Sequence, residues 1–265
     1  MNIFFHELKA YRKSTIIWTV SLILVTLLFM SMFPAFARDA EEFKKLLEGY
    51  PEGVRKAIGL NLENLFSILG FYCYALSFIT LCGAIQAMNL GTSIVSKEVR
   101  EKTADFLLTK PVTRTTIVTS KLLAAFSSLV ITNIVYIAAA AIIASQVKTE
   151  DFSLKLLILL SLTVFFIQLI FLALGIILSV VVPKIKSVLT VSLSTVFAFY
   201  FLGMLSATSG EEGKRYLSPF KYFDTAYILK HSAYETSFMI TGLIVIVVAI
   251  CASYFVYTKK DIHAV

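Results

Sequence analysis

The sequence predicts an all-α integral membrane protein with six spanning helices, on three observations. Of 265 residues, 58% are hydrophobic and 15% charged, against about 45–50% apolar and about 25% charged in an ordinary soluble domain. Mean hydropathy is +0.82. Six runs hold no Asp, Glu, Lys or Arg: 14–37, 64–96, 122–147, 156–183, 187–210 and 236–258. Each exceeds the roughly 20 residues, at about 1.5 Å of rise apiece, that cross a hydrocarbon core about 30 Å thick. Backbone amides in lipid must be bonded within their own segment, so the runs are helices, with apolar spans over about 16–37, 65–90, 122–145, 156–182, 187–207 and 238–257. A disordered chain, a disulfide scaffold and a water-exposed enzyme domain are poor fits to this composition.

The elements follow in chain order. In 1–13, Phe4, Leu8 and Tyr11 recur at helical spacing, set opposite Glu7, Lys9, Arg12 and Lys13. This reads as a short interfacial helix that turns into the first span near Ser14, or as a basic tail that only anchors orientation. A basic start, an apolar stretch and Ala35-Phe36-Ala37 imitate a secretory signal. An uncharged run far longer than a signal core of about 7–15 residues favours a retained first span.

Segment 38–63 lies across the membrane from the start of the chain. Asp39 with Glu42 resembles a capping box, Phe43, Leu46, Leu47 and Tyr50 share a face, and Gly49, Pro51 and Gly53 end the helix. It reads either as helices resting on the leaflet or covering a pathway mouth, or as a solvated connector. The second charge-free run, as one helix, would reach about 50 Å and project beyond the membrane. Beyond it, Pro111 cannot continue a helix and biases Lys110 to extended backbone, and Thr113 can cap a new helix. The result is a helix, a break and a helix between spans two and three.

With the amino terminus cytosolic, the inner segments carry thirteen cations and five acids and the outer ones eleven cations and twelve acids. Because topology follows Lys and Arg counts near span ends, this is a mild vote for cytosolic termini. The formal +7 then faces anionic inner-leaflet lipid or a cytosolic partner rather than nucleic acid. Cys73, Cys82 and Cys251 fall inside spans with no CxxC pairing, and His6, His231 and His263 are scattered, which disfavours a metal site.

Residues 91–121 carry a recognisable pattern in Gly91, Ile94, Glu98, Thr103, Phe106, Leu107, Leu108, Pro111, Val112, Thr113, Arg114, Ile117, Ser120 and Lys121. This stretch resembles the signature of permease subunits of ABC-2 type exporters. Ser218-Pro219-Phe220-Lys221-Tyr222-Phe223-Asp224 resembles the same family's outer segment between spans five and six.

The resemblance covers essentially the whole chain. It implies a plasma-membrane export permease with both termini cytosolic, paired with an identical or different second permease and two copies of an ATP-binding subunit. ATP and Mg2+ would sit on that subunit, with no cofactor in this chain. The resemblance maps the coupling helix to 91–121, with Glu98 and Arg114 as polar contacts. Thr103 and Pro111 belong to the same coupling set, and Phe106, Leu107 and Leu108 would fill an apolar groove on the ATPase.

The residues themselves offer no ATPase: Gly210-Glu211-Glu212-Gly213-Lys214 has the wrong spacing for a phosphate-binding loop. Gln86, Asn89, Asn133 and Gln168, with Ser187, Thr190, Ser192, Ser194 and Thr195, are the polar groups of the spans. They read as helix-to-helix hydrogen bonds and close packing. The family resemblance suggests instead that spans two and five line a path, with Gln86, Asn89 and Ser194 among the lining groups. The aromatic segment 208–237 reads as an interfacial belt. Its sharper reading is a re-entrant or surface helix pair forming an outer gate, with Pro219, Phe220 and Phe223 at the gate. Two other functions compete: an integral-membrane enzyme acting on lipid or peptide, and an ATP-independent secondary transporter. The first lacks converging carboxylates and histidines, and the second lacks a charged or broken span.

Overall fold

The computed structural model of the protein describes residues 3–57, 65–100, 112–182, 185–209 and 211–259, and among them helices alone form the regular structure. The long helices are α1 (Ile3–Arg38), α4 (Ile68–Arg100), α5 (Arg114–Val147), α6 (Leu154–Val181), α7 (Val188–Ser209) and α9 (Thr236–Lys259). All six are long and apolar enough to cross a membrane. Short helices α2 (Ala40–Glu48), α3 (Glu52–Ala57) and α8 (Thr225–His231) lie at one end of the bundle, with 3₁₀ turns Glu212–Leu217 and Pro219–Lys221. An even number of spans places both termini at the other end, called here the terminal end.

The turn expected near Ser14 is absent, and α1 runs unbroken for 36 residues, about 54 Å at helical rise. No Gly or Pro precedes Pro34, and the hydroxyls of Thr15 and Thr19 donate to the carbonyls of Tyr11 and Thr15 at 3.1 and 2.8 Å, bonding within the helix. Phe4, Leu8 and Tyr11 pack on the core as their spacing predicts. Glu7 does not join Lys9, Arg12 and Lys13 on the exposed face but is buried. Positions 4, 7, 8 and 11 share one helical face, so the geometry that buries the apolar trio buries Glu7 with it.

A capping box at Asp39 does not form, since its side chain makes no cap bond and its backbone is not extended (φ −102°, ψ 29°). With α1 continuing to Arg38, Asp39 is a one-residue corner, and its carbonyl takes the amides of Glu42 and Phe43 instead. The cap expected at Thr113 is present, its Oγ1 accepting from the Thr116 amide at 3.2 Å.

Helices α4 and α6 form the buried centre, and their closest approach is backbone on backbone. A Cβ at Gly91 would lie 2.5 Å from the Leu172 carbonyl oxygen, and one at Gly175 would lie 2.7 Å from that of Met88. Glycine at both positions is what lets the two helices touch there. Helix α1 packs beside α5 and α4, α9 lies against α6, and α7 lies against α4. Large apolar side chains such as Leu24, Ile134, Phe201 and Val248 face outward, as lipid-facing helix surfaces do.

Candidate functional site

At the terminal end, four helices converge on the two roots of residues 101–111. The root in α4 is held by α1: the Tyr11 and Ser93 hydroxyls are 2.8 Å apart, and the Lys97 ammonium lies 6.0 Å from the Tyr11 ring centre. The root in α5 is tied to both neighbours. Lys121 is buried, donates to the Ile94 carbonyl and lies 3.8 Å from the Glu7 carboxylate. Farther along, Thr119 and Tyr254 share a hydrogen bond of 2.7 Å, and Arg114 Nη1 donates to the Thr258 carbonyl at 3.4 Å. The chain thus enters and leaves the segment through anchors only 27 residues apart, Ile94 and Lys121, which bond each other directly.

Of the residues expected to form the coupling set, Thr103, Phe106, Leu107, Leu108 and Pro111 lie outside the described residues. Glu98 lies in the last turn of α4, and Arg114 begins α5 beside the end of α9.

In the middle of the bundle the polar span residues form one hydrogen-bonded ladder across four helices. Gln168 Nε2 donates to Gln86 Oε1 at 3.0 Å, and Asn133 Nδ2 donates to Gln168 Oε1 at 2.6 Å. Gln86 Nε2 donates to Thr132 Oγ1 at 3.1 Å, and the Thr132 and Thr19 hydroxyls lie 3.1 Å apart. Nearer the distal end, the Tyr72 hydroxyl meets those of Tyr136 and Ser161 at 2.6 and 2.7 Å. Gln86 therefore faces the interior of the protomer. Asn89 is half-buried on α4, and Ser194 is exposed on α7. The structure does not bring these three onto one surface.

At the distal end, residues 212–235 turn inward. The Ser218 hydroxyl donates to the Phe199 carbonyl at 2.6 Å. Phe199 is ten residues before the end of α7, so Ser218 lies about 15 Å below that end at helical rise. Phe220 packs against Phe171 and Tyr200, and Phe223 stacks on Phe166, with ring centres 5.1, 5.4 and 5.5 Å apart. Pro219 opens the second 3₁₀ turn and is buried.

Arg215 fastens this fold. It pairs with both Glu235 oxygens at 3.1 and 2.6 Å, donates twice to the Lys221 carbonyl, and lies 4.1 Å over the Phe238 ring. Asp224 caps α8 through the Ala226 and Tyr227 amides. Tyr234 donates to the Leu159 carbonyl at 2.6 Å, and burial raises its phenol well above the ordinary range. Burial also holds the Lys221 ammonium below its ordinary value; Asp224 acts the other way, and Arg215 lowers it further.

Sequence reasoning missed the Glu7–Lys121 pair and the Arg215–Glu235 clamp. For the first a signal existed, because Glu7 shares its helical face with Phe4, Leu8 and Tyr11. For the second, an arginine beside an aromatic run was the only hint.

A comparison with curated proteins finds no match. The family model described as ABC-2 family transporter protein matches residues 1–262. Members of this family are membrane components of transporters that associate with an ATP-binding subunit and are not themselves the ATPase. Six spanning helices and a family match over nearly the full length agree, and the chain belongs to the ABC-2 transporter family.

Proposed function

We propose that this chain is the permease subunit of an ATP-driven exporter in the cytoplasmic membrane, with both termini cytosolic. Segment 91–121 is the part that meets the ATPase. The observation that carries this reading is the anchoring of its two roots, Ile94 and Lys121, to each other and to α1. A segment rooted in four packed helices transmits a push from its tip into the bundle, whereas a loose loop absorbs it. Glu98 and Arg114 supply the polar contacts, Phe106, Leu107 and Leu108 the apolar ones, and Thr103 and Pro111 belong to the same coupling set. ATP and Mg2+ are held by two copies of the partner, and a second permease, identical or different, completes the path.

In this account α7 contributes Ser194 to the path from its exposed face, and Asn89 from α4 lies at the path's terminal end. Gln86 contributes through the ladder that fixes α4 against α6. The inward-folded segment with Pro219, Phe220 and Phe223 forms the outer gate.

Affinity purification of the full chain from native membranes tests the reading. An ATP-binding subunit is expected in the eluate, with ATP-dependent transport lowered about tenfold or more by Glu98→Ala or Arg114→Ala while membrane insertion is unchanged. Wild-type transport by both variants would remove the coupling assignment.

A further inference from the structure

We infer that α2 is an interfacial helix that rests in the distal leaflet, its apolar edge among phospholipid chains and its charged side in water. The helix stands where the spans end. Helix α1 runs to Arg38, Asp39 makes a one-residue corner, and α2 begins at Ala40. Three residues separate α2 from α3, which packs on α7. Both ends of α2 are thus held at the distal end of the bundle, one by α1 and the other through α3.

At 3.6 residues per turn, Phe43, Leu46, Leu47 and Tyr50 fall within an arc of about 100°, and Glu41, Lys44, Lys45 and Glu48 take the other side. The structure divides the apolar arc. On one flank Leu47 packs on the core, and Phe43 stacks on Phe36 with ring centres 4.4 Å apart. On the other flank Leu46 and Tyr50 stay 62% and 51% exposed, and Val54 in α3 stays 45% exposed.

This open edge continues a surface that already faces lipid. Leu24, Leu28 and Met32 form an outward stripe at four-residue spacing along α1. Phe36 is the next position in that stripe, and its ring leads onto Phe43 of α2. A stripe that meets acyl chains along a span, and turns onto an amphipathic helix at the span's end, meets the same lipid there. Such a helix sinks about 5–10 Å into the boundary between headgroups and chains, the level that Tyr50 favours. Three acids against two lysines along 41–48 give the polar side no basic excess, so neutral phospholipid is sufficient.

The test uses the purified full chain without any ATPase, so its failure is separate from failure of the export reading. Trp18 is the single tryptophan, and Trp18→Phe removes its fluorescence. Leu46→Trp, Tyr50→Trp and, on the charged side, Glu41→Trp are each made in that background and reconstituted in phosphatidylcholine vesicles. Lipid brominated near the headgroup end of its chains should quench the tryptophans at 46 and 50 at least about twofold more than the one at 41. Aqueous acrylamide should give the reverse order. Acrylamide quenching at 46 and 50 as complete as at 41 would overturn the inference by making α2 a solvated connector or a lining of an aqueous mouth. Shielding of 46 and 50 from both quenchers would overturn it in favour of a second copy of the chain. If the variants fail to fold, a phosphatidylcholine carrying a diazirine near the headgroup end of its chain is photolysed with the unsubstituted protein. Label within 43–54 is expected, and its absence there overturns the inference as well.

Discussion

Lys121 and Glu7 meet 3.8 Å apart inside the terminal end of the bundle, with side chains only 1% and 5% exposed. The lysine also donates to the Ile94 carbonyl, so one ammonium joins α1, α4 and α5. One Glu7 oxygen has no hydrogen-bond partner, so the pair is not fully compensated. A buried pair of this kind adds little net stability, but breaking it from one side strands a charge.

Glu7→Gln and Lys121→Met should therefore each destabilise the protein by about 3–5 kcal/mol, and the double variant should recover most of the loss. Thermal unfolding in detergent micelles, arranged as a double-mutant cycle, measures the coupling. Additive losses would show that the two groups do not interact.

The crossing of α4 and α6 makes a graded prediction about glycine. Gly91→Ala and Gly175→Ala each force a Cβ against backbone and should cost about 1–3 kcal/mol. Gly83→Ala meets the Val164 Cγ1 atom at 3.0 Å, a side chain that can move, and should cost less. At Gly53 and Gly213 a Cβ meets nothing within 4 Å. Alanine there should leave the unfolding temperature unchanged or slightly raised.

Gln168 is the centre of the amide ladder, bonded to Gln86 and Asn133 together. Gln168→Leu leaves both amides short of a partner and should lower stability by about 1–3 kcal/mol. Ser194→Ala, on an exposed face, should leave stability within about 0.5 kcal/mol and report on transport alone.

Lys221 sets an alkaline pH dependence. Burial lowers its value in the folded protein, whereas the unfolded chain keeps the ordinary 10.5. Between those two values the unfolded chain binds more protons, so stability rises with pH through that window and is complete above 10.5. Below the lowered value the folded protein carries the cost of a desolvated charge. The wild-type unfolding temperature should accordingly rise with alkaline pH relative to Lys221→Gln. A constant difference between the two would contradict the burial of this ammonium.

The six spans were legible because each is a charge-free run bounded by Lys, Arg or acids, and local chemistry alone fixed the cap at Thr113. What the sequence concealed were relations between distant residues. Glu7 looks solvated by its charge, and only the position of Lys121, 114 residues later, makes its burial tolerable. Ser218 and Phe199 lie close in sequence, yet the inward fold that joins them depends on a ring pocket that Phe166 and Phe171 of α6 and Tyr200 of α7 build around Phe220 and Phe223. The pathway set of Gln86, Asn89 and Ser194 rests on the family resemblance, which points to spans two and five, and on polarity within those spans. Polarity alone cannot distinguish Gln86, whose amide is consumed within the protomer, from Ser194, whose hydroxyl points outward.

Site-directed photo-crosslinking in native membranes tests the central claim most directly. A benzoylphenylalanine at Phe106 should trap an ATP-binding subunit, and the same probe at Tyr216, at the opposite end of the bundle, should not. An ATP-binding subunit trapped from Tyr216, or none trapped from Phe106, would contradict the assignment of 91–121 as the segment through which ATP drives this permease.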